Sequence, residues 1–180
     1  ELVPFSPLSD SRLPERLQGL ILSGGYPELH APALAENSSM REEIREAVKA
    51  GLPCIAECGG FLYLHRTLEG EDGKEYPMAG VLDARAFRTP KLSRFGYITL
   101  TARQDQLLLR EGEQIRGHEF HYWESESCGE AMQAKKPLRK RSWSCVHGNS
   151  TLYAGFPHLF FYSNPEAAWN FLKKCEEQPC

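Results

Sequence analysis

No stretch of this 180-residue chain stays apolar for the roughly 20 residues that a bilayer-spanning helix needs. The N-terminal Glu-Leu-Val-Pro-Phe has neither the charged nor the apolar region of a secretory signal. No membrane association is expected, and the cytoplasm is the expected setting. No GxxxxGK[ST] phosphate loop occurs, so nucleotide chemistry is not expected of these residues. Positive charge is not in excess: 21 Lys and Arg against 24 Asp and Glu leave a formal net charge of -3, so the totals carry no nucleic-acid footprint. The one basic run, EAMQAKKPLRKRS at 130–142, is short and reads as a solvated loop. The six cysteines (Cys54, Cys58, Cys128, Cys145, Cys175 and Cys180) have no compact spacing, which argues for reduced thiols rather than a disulfide framework. Cys54 and Cys58 also lack a second Cys or His pair at zinc-ribbon spacing, so no metal is expected. Internal repeats and low-complexity tracts are absent too.

What is there suits one globular unit: 180 residues can bury roughly two thirds of their unfolded surface and are too few for two ordinary domains. The first residue is not methionine, and Pro4-Phe5-Ser6-Pro7 opens a Pro-rich stretch, so residues 1–16 are expected to be a linker from a preceding domain and 17–180 the folded domain. LQGLILS at 17–23 is a short apolar run stopped by Gly24-Gly25, as for a buried strand. Ser39-Met40-Arg41-Glu42 has the capping-box pattern, and Ile44, Ala47 and Val48 share a face, which predicts a helix over 39–50 with Gly51 as its stop. A second strand is expected at 53–56 and a helix beginning at Gly59; this alternation points to an α/β fold with a parallel sheet. Residues 69–77 read as a turn, and 79–87, 95–101 and 114–123 as strands of a mixed or antiparallel extension. Strand-like runs return at 143–146 and 152–156, and Asn164-Pro165 opens a last helix expected to bury Ala168, Phe171 and Leu172.

The chemistry concentrates in AECGGFL at 56–62. A side chain on a sharp strand-to-helix turn stands clear of the sheet beside unpaired backbone N–H groups, where an anion such as a thiolate is favoured. Cys58 is therefore a candidate nucleophile, with a buried structural thiol as the alternative. The N–H of Gly59 can face a developing oxyanion, Gly60 serves the turn and its packing, and Gly24-Gly25, at the end of the neighbouring strand, can supply the second donor. A nucleophilic cysteine needs a base. His158, between LYAGFP and the last helix, is the best placed of six histidines; His30, His65 and His147 read as solvated or hydrogen-bonded surface residues, and His118 and His121 alternate with Glu119 on a strand that can line a pocket.

Four stretches, SGGYPELHA (23–31), GLPCIAECGGFLYL (51–64), RGHEFHYWE (116–124) and HLFFYSNP (158–165), in this order and spacing, resemble the C-terminal glutaminase domain of the cobyrinic acid a,c-diamide synthase family, in the cobalamin-pathway branch of the class I, triad-type glutamine amidotransferases. The resemblance spans nearly the whole chain. It implies a three-layer, flavodoxin-like α/β domain with a mostly parallel central sheet and helices on both faces. It also implies glutamine as substrate, Cys58 and His158 as the catalytic pair, Gly25 and Gly59 as the oxyanion hole, and Gly24, Tyr26, Glu119 and His121 as substrate-binding residues. Ammonia would pass to an N-terminal ATP-dependent synthetase domain of the same polypeptide; ATP and Mg2+ belong there, and no cofactor is expected here. No nucleic acid or membrane partner is implied, and a homodimer stays open. So do a different tetrapyrrole acceptor such as a nickel sirohydrochlorin, a catalytically inactive docking module, and a stand-alone γ-glutamyl or ester hydrolase.

Two departures stand out. The broader class I pattern has an acid two places after the histidine, where this chain has Phe160; the branch it resembles also lacks that carboxylate, so the resemblance implies a Cys-His pair whose orienting group is unassigned, with Glu119 one chemical possibility. Phe156-Pro157 directly before His158 constrains the approach of the base. Glu57 receives no catalytic role, because a neighbour on an extended strand points to the opposite face.

Overall fold

The computed structural model describes residues 1–178; Cys180 lies outside the described residues. In chain order the elements are strand β1 (Leu20–Leu22), helices α1 (Ala31–Glu36) and α2 (Ser38–Lys49), strand β2 (Cys54–Glu57), the short helix α3 (Gly59–Tyr63), and strands β3 (His65–Glu69), β4 (Glu75–Pro77) and β5 (Leu82–Arg88). Then come β6 (Arg94–Ala102), β7 (Gln114–His121), β8 (Trp123–Ser125), β9 (Met132–Lys135), β10 (Ser142–Cys145), β11 (His147–Gly148), β12 (Leu152–Gly155), β13 (His158–Phe160) and helix α4 (Pro165–Glu176).

The central sheet has the order β1-β2-β12-β11, with β1, β2 and β12 parallel and β11 antiparallel at the edge. Its inner strands β2 and β12 are buried on both faces along most of their length, as a covered parallel sheet requires. Leu20, Leu22, Cys54, Ala56, Leu152 and Ala154 share one core with Met40, Ile44 and Val48 of α2 and Phe61 of α3. Ile55 and Tyr153 belong to the other core, with Ile98, Leu100 and Met132 of an antiparallel sheet (β10-β9-β6-β7-β13) and with Ala167 and Phe171 of α4. The α/β class and the mostly parallel central sheet with helices on both faces are as expected; α4 shares the second face with the antiparallel sheet. A third sheet, β4-β3-β5-β8, extends the first core through Leu68, Ala86 and Trp123.

Several local expectations change. Residues 132–135, inside the segment read as a loop, form β9, because Met132 and Ala134 are buried against β6 while Gln133 and Lys135 alternate outward. The helix at Gly59 ends after five residues and the chain enters β3; His65 is fully buried, with Nδ1 2.8 Å from the Phe61 carbonyl and Nε2 2.6 Å from Ser125 Oγ, rather than lying at the surface. Helix α4 is rotated from the expected face: Ala167 and Phe171 are buried and Leu172 is exposed. Asn164 stands at its N-cap position, but its side-chain amide donates to the Gln114 carbonyl at 3.0 Å instead of capping. Residues 1–16 are irregular and lie on the body, with Phe5 and Leu13 packed against the first core.

The capping box at Ser39 is not what starts α2. Asn37 is the N-cap; its Oδ1 accepts from the Met40 N–H at 3.4 Å, and its Nδ2 donates to the Pro7 and Asp10 carbonyls, each at 2.8 Å. One side chain thus starts a helix and pins the N-terminal segment. Gly51 does stop the helix: it sits at φ +96, its N–H bonds the Val48 carbonyl at 3.1 Å, and the Leu52 N–H bonds Ala47 at 3.0 Å. Asn37→Ala is expected to destabilise the fold by about 1–2 kcal/mol and Ser39→Ala by less than about 0.5 kcal/mol in urea unfolding.

Candidate active site

The strand β2 ends at Glu57, and the chain reverses at Cys58, whose φ 47 and ψ -101 lie where a residue with a Cβ is rarely found. The reversal is held on three sides: the Cys58 N–H donates to the Gly155 carbonyl (2.9 Å), the Gly60 N–H to Ser23 (3.1 Å), and the Leu62 N–H to Cys58 (2.9 Å). Glycine is needed at the next two positions for space. A Cβ on Gly60 would lie 2.1 Å from the Leu22 carbonyl oxygen, and one on Gly59 would lie 2.6 Å from that of Gly25. The same contact puts the backbones of Gly25 and Gly59 side by side, and among the described residues neither amide N–H finds a protein acceptor. Two adjacent free donors beside a thiol are what an oxyanion site requires. Helix α3 has only five residues, so its dipole is small, and stabilisation of a thiolate falls to nearby charge.

The nearby ionisable group is His158. It starts β13, which pairs with β7 in the second sheet, His158 opposite His118. Its ring stands close to the Cys58 thiol, and its Nδ1 lies 3.4 Å from Glu57 Oε2. The Cys58 thiol and the Glu57 carboxylate beside it push the imidazole up to about 10, against the opposing effect of burial. The other Glu57 oxygen, Oε1, accepts from the Leu159 N–H at 3.0 Å, so one carboxylate grips both the base and the backbone beside it. Gly24 lies under the ring; a Cβ there would stand 2.5 Å from His158 Cε1.

A thiol, an imidazole and two free amides thus meet at the C-terminal edge of a parallel strand. The family model of the CobB/CobQ-like glutamine amidotransferase domain matches residues 1–166 of this chain. The chain belongs to the CobB/CobQ-like glutamine amidotransferase family. Among curated relatives, the cobyrinate a,c-diamide synthase of Caldanaerobacter subterraneus is 42% identical over 97% of this chain, and that of Thermoplasma volcanium is 37% identical over 97%. The chain spans 39% and 38% of their respective lengths. A chain in the structure of PurLQS from Thermotoga maritima superposes with a TM-score of 0.59 at 16% identity, covering 94% of this chain and 82% of that one, which speaks to the fold alone.

Within this amidotransferase the structure gathers Cys58, His158, Gly24, Gly25 and Gly59, all singled out from sequence. Exposed Tyr26 lines a cleft of about 300 Å3 together with Gly24, Gly25, Gly59 and His30. Glu119 and His121 do not line this cleft: they are buried between the sheets, 0% and 5% exposed. Period-two alternation turns both inward from β7. Burial holds the Glu119 carboxyl above its usual range, and His121 stacks on Phe156 with ring centroids 3.7 Å apart. Nor is Glu119 the group on His158; Glu57 is. The expectation for Glu57 started from a correct premise, since it does leave the strand on the face opposite Ala56. That face, however, meets the antiparallel sheet that delivers His158. Pro157 does not obstruct the base: its carbonyl accepts from the Tyr153 hydroxyl at 3.1 Å, which fixes the step into β13.

Because the folded His158 lies above its ordinary 6.5, the stability it contributes is complete below pH 6.5 and lost as pH rises toward about 10. The urea-unfolding gap between the wild type and His158→Asn is expected to be widest below pH 6.5 and to close as pH approaches about 10.

Proposed function

We infer that this chain is the glutamine-hydrolysing part of an amidating enzyme, and that it works through a Cys58 thioester. The contact of the Cys58 thiol with the imidazole of His158, beside the free Gly25 and Gly59 amides, carries this reading. The His158 ring takes the thiol proton, and the thiolate adds to the side-chain amide carbon of glutamine, forming the C–S bond and moving the carbonyl π pair onto oxygen. The Gly25 and Gly59 N–H groups meet that oxyanion. His158 returns the proton to the leaving nitrogen, the C–N bond breaks, and ammonia departs. Water then adds to the thioester with His158 accepting its proton, and glutamate and the free thiol result. A groove of about 630 Å3 lined in part by His158 carries Arg116, a cation suited to the α-carboxylate of an amino acid.

The names of the relatives support the a and c carboxylates of cobyrinic acid as the final acceptors. In this reading the ammonia is used by an ATP-dependent synthetase region corresponding to the part of those relatives that this chain does not span. The a,c-diamide synthase reading makes ATP and Mg2+ requirements of that region.

In the full-length protein, Cys58→Ala is expected to lower glutamine-dependent amidation by at least about 10³-fold while ammonia-dependent amidation persists. Loss of both activities together would overturn the assignment. Stoichiometric labelling of Cys58 by diazo-oxo-norleucine is expected in the wild type, and its absence would leave an inactive docking module.

A further inference from the structure

The amidotransferase site contains a carboxylate that its sequence pattern does not announce. We propose that Glu57, the residue immediately before the nucleophile, is the positioning residue for His158, completing a Cys58-His158-Glu57 triad in which the third member comes from the nucleophile's own strand. The inference rests on the thioester reading above and assigns the acid that Phe160, in the position two after the histidine, cannot supply.

The geometry is bidentate. Oε2 lies 3.4 Å from His158 Nδ1, and Oε1 accepts from the Leu159 N–H at 3.0 Å. The first contact selects the tautomer with its proton on Nδ1, which leaves Nε2 as the atom that takes the proton from Cys58 and gives it to the leaving nitrogen. The second ties the same carboxylate to the β13 backbone, so the base cannot swing without breaking a charge-assisted bond. Glu57 itself is held at the end of β2, where Gly155 of β12 is its register partner. Its side chain is 16% exposed, which strengthens both contacts, while that of His158 is 38% exposed and stays open toward substrate.

No other acid competes for the ring. Phe160 is more than half exposed, and Glu119 lies buried with neither oxygen bonded to a protein donor among the described residues. The titratable groups around His158 are Cys58 on the turn, Glu57 on β2, and His118 and His121 on β7. The two β7 histidines are both pushed below their ordinary value, His121 to about 4 and chiefly by burial, so neither can replace the carboxylate as an acceptor of the Nδ1 proton with a negative charge.

The test uses Glu57→Gln and Glu57→Asp in the full-length protein. Glutamine can still accept from the Leu159 N–H, so Glu57→Gln removes charge with little change of shape. It is expected to lower the kcat for glutamine hydrolysis by at least about 30-fold with KM changed less than about threefold, because tautomer and orientation act in the transition state. Glu57→Asp is expected to recover part of that loss. Two readouts do not depend on glutamine as substrate. The His158 ring protons, followed by NMR, are expected to titrate at least about one pH unit lower in Glu57→Gln than in wild type, and iodoacetamide alkylation of Cys58 is expected to show the same displacement in its pH profile. Unchanged titration and alkylation profiles would overturn the positioning role even if activity fell through a loss of stability. A wild type that shows the coupled titration but never hydrolyses glutamine would instead overturn the thioester reading and leave the triad standing.

Discussion

The reversal of the chain at Cys58 is the constraint on which the rest of the site depends. A side chain at φ 47 stores backbone strain of about 1–3 kcal/mol, and nothing local offsets it. Two tertiary backbone hydrogen bonds, each contributing about 0.5–1.5 kcal/mol, tie the turn to β12 and to the end of β1, where one local bond to its own first helical turn is not enough. The strain and its compensation are of the same size. The elbow therefore exists only while β1, β2 and β12 lie in register, and the thiol is presented at the sheet edge as a consequence of that register rather than of helix propensity.

The second consequence is that the site is a seam between two cores. Cys58 belongs to the parallel sheet and His158 to the antiparallel one; Phe156 and Pro157 carry the chain from the first to the second. Phe156 is buried edge-on to Phe61 at 4.9 Å and flat against His121 at 3.7 Å, so it belongs to both layers, and the Tyr153 hydroxyl holds Pro157 in place. Burying a phenylalanine of this kind contributes about 1.5–3 kcal/mol, at least as much as a polar contact in the site. Packing sets where His158 stands, and Glu57 then lies beside its Nδ1.

Three histidines show how environment divides one residue type. His65 and His121 are enclosed, and burial pulls both down to about 4, so they stay neutral and serve as hydrogen-bonding or stacking elements. His158 is half open and faces a thiol and a carboxylate, which push it up to about 10. With α3 only one turn long, its dipole is a small part of the electrostatics at this turn, and the imidazole is the nearby charge that matters.

Much of this was legible from local pattern. A glycine-flanked cysteine after an apolar run, a glycine pair after the preceding strand, Gly51 after an amphipathic helix and a histidine ahead of Asn164-Pro165 each encode a conformation in a few neighbouring residues, and sequence alone determined the turn at Cys58, the glycine loop beside it and the α/β order. Side-chain partners across layers were not legible, because period-two alternation tells which residues share a face and not what that face will meet. Asn37 in place of Ser39 as the cap, the inward turn of Glu119 and His121, β9 inside a basic segment, and the grip of Glu57 on His158 all depend on segments about 25 to 100 residues apart being brought together. Glu57 is the sharpest case: local geometry correctly sends its side chain away from Ala56, and only the packing of the antiparallel sheet on that face places His158 there to receive it.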